Sequence, residues 1–159
     1  MGNRVKVLIA DDNSHQLAQC MTYLKEQQDV EVVGVASDGV AAWDALENNA
    51  VDVLIMDLIL PKLDGFGVLE RLITRTDMPK PDVMVLSALS QESVIRRACE
   101  MGVKYYMIKP FDIETLYHRI IDLHNGQTPI RKPQVMAEPS LRSKPCSRDE
   151  KITGVFLTI

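Results

Sequence analysis

No stretch of this 159-residue chain approaches the roughly 18–20 uncharged apolar residues of a membrane span. The opening apolar run, VKVLIA, meets carboxylates at once. A secretory signal needs a longer apolar core and a small-residue cleavage site, so cytoplasm is the expected compartment. Cysteine is sparse: Cys20, Cys99 and Cys146 are scattered, with no CxxC pair. They imply neither a disulfide framework nor a zinc site. Cys20 and Cys99 fall in helical patterns and are expected in the core, and Cys146 exposed and free. Glycine is missing where a dinucleotide-binding loop would need it, since ADDNSHQ follows the first apolar run. Positive charge is scarce in residues 1–124, which hold 12 Lys/Arg against 19 Asp/Glu, a net of −7. That balance argues against nucleic-acid binding by this part. Residues 125–159 carry a net of +3, too sparse to change the conclusion.

What is present is 46% hydrophobic and 25% charged residues, enough for one domain with a true core. Short runs rich in Val, Ile and Leu lie at Val5–Ala10, Val30–Ala36, 51–56, Asp82–Ser87 and 103–108. They have the composition of strands covered on both faces. Between them run amphipathic stripes at three- and four-residue spacing: Leu17, Met21, Leu24; Val40, Trp43, Leu46; Phe66, Leu69, Ile73; Val94, Ala98, Met101; Ile113, Leu116, Ile120, His124. Asp38-Gly39, Asp64-Gly65, Pro79, Pro81, Gly102 and Lys109-Pro110 supply turns. Asn13 or Ser14 is expected to cap the first helix and Asp112 the last. Five strands alternating with five helices predict an α/β fold, a doubly wound parallel sheet with right-handed crossovers. After residue 124 the texture changes. Residues 125–148 hold Gly126 and four prolines without apolar period, and read as a flexible linker. Residues 149–159 end in ITGVFLTI, a fragment of a following element or an apolar tail.

Three carboxylates stand out. Asp11 and Asp12 follow one strand, and Asp57 closes another. If those strands are neighbours in a parallel sheet, their carboxyl ends share one edge, where ligands bind. Carboxylates brought that close repel, so the pocket needs a hard divalent cation. Each residue also has a bland reading. Asp11 and Asp12 can merely cap a helix, and Asp57 can be an ordinary loop carboxylate. Ser87 closes the fourth strand and is either a helix cap or a donor to an anion at the same edge. Lys109 closes the fifth strand, either as surface charge or as an ion-pair partner of the acidic edge. The X-Pro bond after it is of the kind in which cis peptides occur. Tyr106 reads equally as half-buried core or as a ring that changes position.

Taken together, Asp11-Asp12, Asp57, Ser87-Ala88 and Lys109-Pro110-Phe111 resemble the receiver domain of two-component response regulators over about residues 4–124. ADDN, PKLDGFGVLERL and YYMIKPFD look particularly like the receivers of sporulation-initiation regulators of endospore-forming bacteria. The resemblance implies a flavodoxin-like fold with strand order 2-1-3-4-5. It implies that Asp57 takes a phosphoryl group from a phosphohistidine on a sensor histidine kinase or histidine phosphotransferase. Asp12, Asp57 and the backbone carbonyl of Ile59 would ligate Mg²⁺ (or Mn²⁺ or Ca²⁺), with Asp11 orienting metal-bound water. Lys109 would pair with the phosphoryl group across a cis Lys109–Pro110 bond. Ser87 and Tyr106 would form the switch, Ser87 moving toward the phosphoryl and Tyr106 filling the space it leaves. Dimerisation on phosphorylation is a further implication. The module would catalyse its own phosphorylation rather than act as an enzyme on a separate substrate.

The sequence departs from this family in having Ser87 where Thr is common. It also lacks the DNA-binding domain of such regulators, so any nucleic-acid contact would run through an effector outside it. The expected function is control of transcription, here sporulation, through that effector. The alternative is a stand-alone receiver that relays phosphate or binds a partner. A haloacid-dehalogenase-type phosphatase also uses a strand-end Asp but needs a second one two residues on, where Ile59 stands.

Overall fold

The computed structural model describes residues 2–126 and 143–145. Its elements run β1 (Val5–Ala10), α1 (Ser14–Lys25), β2 (Val30–Ala36), α2 (Gly39–Asn48), β3 (Val53–Met56), α3 (Gly65–Thr74), β4 (Asp82–Ser87), α4 (Glu92–Glu100), β5 (Tyr105–Ile108), α5 (Ile113–His124) and β6 (Ser143–Pro145). Five strands are parallel in the order β2-β1-β3-β4-β5. This is the predicted doubly wound sheet, with β1 and β3 adjacent.

The pleat divides the core in two, because successive side chains point to opposite faces. Leu8, Leu54, Met56, Val83, Val85 and Tyr106 pack under α2, α3 and α4. Val7, Ile9, Val53, Ile55, Met84, Leu86 and Met107 pack under α1 and α5. Near-continuous apolar runs are needed for such burial on both faces. The edge strand β2 is the exception, and its Val35 is exposed.

Helix ends follow local chemistry. Asn13 accepts the Gln16 amide, Asp38 that of Ala41, Asp64 that of Gly67 and Asp112 that of Thr115. Each satisfies an amide that the first turn leaves without a partner. Asn13, rather than Ser14, is therefore the first cap.

Several boundaries and stripes differ from expectation. β3 begins at Val53, not 51, and β5 at Tyr105, not 103. Val103 is buried, but its amide bonds the Ala98 carbonyl at the end of α4 instead of joining the ladder. Val40, Ile73 and His124 lie exposed, and Ala42, Leu72 and Leu123 take the inward places. A stripe spaced by threes and fours has more than one solution, offset by one or two residues, and packing selects between them. β6 is a sixth strand, antiparallel to β5, within the segment read as a linker. The remainder of that segment and the 149–159 ending lie outside the described residues, as does Cys146. Cys20 is a buried free thiol. Cys99 is buried as expected but is disulfide-bonded, against the expectation of no disulfide.

Among the described residues, no helix is long and apolar enough to cross a membrane.

Candidate phosphoacceptor and metal site

Adjacent parallel strands bring the acidic residues together. The Asp57 amide bonds the Ala10 carbonyl and the Asp11 amide the Ala36 carbonyl, so each residue is held just past its strand end. Ligand oxygens of Asp11, Asp12 and Asp57 all lie within 4.8 Å of one another. Asp11 and Asp57 are buried, whereas Asp12 is exposed. The Asn13 amide donates to Asp11 Oδ1 at 2.9 Å and the Ile59 amide to Asp57 Oδ1 at 3.0 Å. These bonds fix both carboxylates and leave their Oδ2 atoms for a cation.

Lys109 supplies one. Its ammonium lies 2.8 Å from Asp11 Oδ2 and 2.7 Å from Asp57 Oδ2. Its own amide bonds the Ser87 carbonyl at 2.9 Å, tying it to the end of β4. Burial depresses the Lys109 ammonium, but its hydrogen bonds to Asp11 and Asp57 outweigh that and the net shift is upward. The Lys109–Pro110 peptide is cis, as expected.

The donors of the pocket fit a divalent ion. Three carboxylates are all hard oxygen ligands, and among the described residues the two buried ones share one ammonium, that of Lys109. That donor set suits Mg²⁺, Mn²⁺ or Ca²⁺ rather than a soft metal. Ile59 is 53% exposed, in the loop that begins at Asp57.

Ser87 and Tyr106 meet behind the pocket. Ser87 is fully buried, and its Oγ accepts the Leu89 amide at 3.2 Å. Tyr106 donates its hydroxyl to the Leu89 carbonyl at 2.6 Å. Burial pushes the Tyr106 hydroxyl up to about 12, with the Ser87 side chain opposing and Asp57 adding to the shift. With Ser87 bonded to the Leu89 amide, the Tyr106 ring is buried with its hydroxyl on the Leu89 carbonyl.

Sequence reasoning missed Leu89, which acts only through its backbone, and Gly65. A Cβ on Gly65 would stand 2.7 Å from Leu58 Cα and 2.8 Å from the Asp57 carbonyl oxygen. The Asp64-Gly65 turn signal marked the position but not its reason. The helix begins against the acceptor loop, and only hydrogen fits.

The chain matches the response regulator receiver domain family over residues 7–121 and belongs to it. It is similar to the receiver domain of the Francisella response regulator 1452, at 30% identity and a TM-score of 0.70, over 78% of this chain and 99% of that one. The receiver domain of the putative response regulator NarL from Mycobacterium tuberculosis aligns at 24% identity and a TM-score of 0.73, over 79% and 99%. It therefore speaks for the fold alone. CheY of Borrelia burgdorferi, solved as a CheX-CheY-BeF3-Mg complex, aligns at 25% identity and a TM-score of 0.69, over 77% and 91%. Membership in the family implies phosphorylation-dependent signalling and interaction with kinases or phosphotransferases.

Proposed function

We propose that Asp57 is the phosphoacceptor of a Mg²⁺-dependent response regulator whose donor is a phosphohistidine on a sensor histidine kinase or histidine phosphotransferase. The observation that carries this reading is the convergence of Asp11, Asp12 and Asp57 within 4.8 Å around the Lys109 ammonium. The complex of the Borrelia CheY with BeF3 and Mg supports it by analogy.

Asp12, Asp57 and the Ile59 carbonyl would hold the metal, with Asp11 orienting its water. The ion, when bound, neutralises charge on the transferring phosphoryl. Asp57 attacks phosphorus in line, a P–O bond forms, the P–N bond breaks, and the freed imidazole takes its proton from solvent. Lys109 is within reach of the oxygens that gain charge. Ser87 exchanges its bond with the Leu89 amide for one with a phosphoryl oxygen. That exchange moves the Leu89 carbonyl, the acceptor of the Tyr106 hydroxyl, and so repacks the face of α4, β5 and α5. Phosphorylation biases an equilibrium between two packings.

The chain acts in the cytoplasm as a self-phosphorylating signalling module. Its output is transcription control, sporulation in the reading carried by ADDN, PKLDGFGVLERL and YYMIKPFD. That output runs through an effector domain and a homodimer formed on phosphorylation. The test is labelling by acetyl phosphate in Mg²⁺, read by intact mass. The wild-type chain should gain one phosphoryl group, and Asp57→Asn none. Equal labelling of the variant would remove Asp57 as acceptor.

A further inference from the structure

The loop from Asp57 to Asp64 joins β3 to α3 and carries Ile59. One end is fixed by the Asp57–Ile59 side-chain bond and the Gly65 amide on the Leu58 carbonyl, at 3.0 and 2.9 Å. The other end rests on a different element, the start of α2. The Gly39 amide donates to the Pro61 carbonyl at 3.2 Å. A Cβ on Gly39 would lie 1.7 Å from the Leu63 carbonyl oxygen, so helix and loop touch backbone to backbone. Lys62 has φ 68°, the only positive φ among described non-glycine residues. This left-handed conformation, uncommon for a side chain of that kind, brings its ammonium 3.4 Å from Asp38 Oδ2. The same Asp38 carboxylate caps α2 by accepting the Ala41 amide at 2.8 Å. Its charge is favoured first by that amide and further by Lys62, and the carboxyl is held below its usual range.

We propose that Asp38, Gly39 and Lys62 are positioning residues that brace the acceptor loop, and that this brace sets the Ile59 carbonyl for the divalent ion. The inference rests on the metal reading of the acidic pocket. None of the three residues touches the acidic cluster. They act by denying the loop a second position, because the backbone of α2 fills the space into which it would relax. Groups that orient metal ligands from behind govern affinity through geometry.

Gly39→Ala in the full chain is the direct test. Calorimetry with Mg²⁺ alone should show a dissociation constant raised roughly 10-fold. Amide exchange across residues 59–65 of the metal-free chain should speed up. Labelling by acetyl phosphate should need more Mg²⁺ yet reach a limiting rate within about 2-fold of wild type, since the reacting groups are untouched. Asp38→Asn keeps an oxygen for the Ala41 amide and drops the charge facing Lys62, so it should move the same readouts less. Val40→Ala, on the exposed side of the same turn, should move none. A folded Gly39→Ala with wild-type Mg²⁺ affinity and loop exchange would overturn the brace. If Gly39→Ala does not fold, unchanged Mg²⁺ affinity in Asp38→Asn overturns it. Failure of the wild-type chain to take up Mg²⁺ would instead refute the metal reading, and loop exchange in the variants would still decide whether the brace exists.

Discussion

The Lys109 ammonium stands 2.7 Å from Asp57 Oδ2, across 52 positions of sequence. A second bond of 2.8 Å to Asp11 makes it the shared counter-ion of two buried carboxylates. Removing one partner of a buried ion pair leaves an uncompensated charge. Lys109→Met should therefore destabilise the metal-free protein by about 2–4 kcal/mol. Saturating Mg²⁺ should recover part of this, because a second cation enters the same pocket. Urea unfolding with and without Mg²⁺ checks both statements. A loss that Mg²⁺ does not reduce would contradict the counter-ion role.

Asp12 behaves in the opposite way. It is exposed and adds a third negative charge to the cluster. Asp12→Asn should leave metal-free stability unchanged or slightly higher, because repulsion falls. It should weaken Mg²⁺ binding by about 10-fold or more, since affinity follows ligand charge. The rise in melting temperature with Mg²⁺ should shrink accordingly. A Mg²⁺-induced rise equal to that of wild type would remove Asp12 from the ligand set.

Tyr106→Phe deletes the donor to the partly buried Leu89 carbonyl. The expected cost is about 1–2 kcal/mol. Burial raises the Tyr106 hydroxyl from 10.0 to about 12, so the folded state favours the neutral form. Its contribution is fully present below pH 10 and is lost as pH rises toward 12. Denaturant unfolding at pH 9 and pH 11.5 should show a steeper alkaline loss in wild type than in Tyr106→Phe. Parallel pH profiles would show that this hydroxyl does not titrate with unfolding.

Gly65→Ala tests the first turn of α3. The added methyl would meet Leu58 Cα at 2.7 Å and the Asp57 carbonyl at 2.8 Å, both backbone atoms that cannot rotate away. Overpacking of this kind costs about 1–3 kcal/mol, and the displaced loop should slow labelling of Asp57. Calorimetric melting and acetyl phosphate labelling read the two effects. Wild-type values in both would show that the loop yields freely.

Much of the fold was legible because strands buried on two faces leave a dense apolar signature. β1, β2 and β4 fall where the runs of Val, Ile and Leu begin and end. The site was legible for a related reason. A charge that interrupts an apolar run must sit at a strand end, and Asp11, Asp57 and Lys109 all do so. What misled was degenerate spacing. Ile73 and Leu72 fit the α3 stripe equally in one dimension, and only the sheet beneath chose Leu72. β6 was illegible, since three residues of Ser-Lys-Pro carry no apolar period and become a strand only by pairing with β5.

The order of chemical groups along the chain was therefore the property of the sequence alone: which strands end in carboxylates, which in a hydroxyl, which in an ammonium. Their meeting was decided by the tertiary structure. Parallel pairing of β1 with β3 set the carboxylates side by side, and β4 and β5 aligned Ser87 and Lys109 to the same edge. Backbone acceptors such as the Leu89 carbonyl under the Tyr106 hydroxyl, or the Pro61 carbonyl under the Gly39 amide, left no mark on their own residue types. Carbonyls and amides are common to nearly all residues, so only their positions in space give them a role.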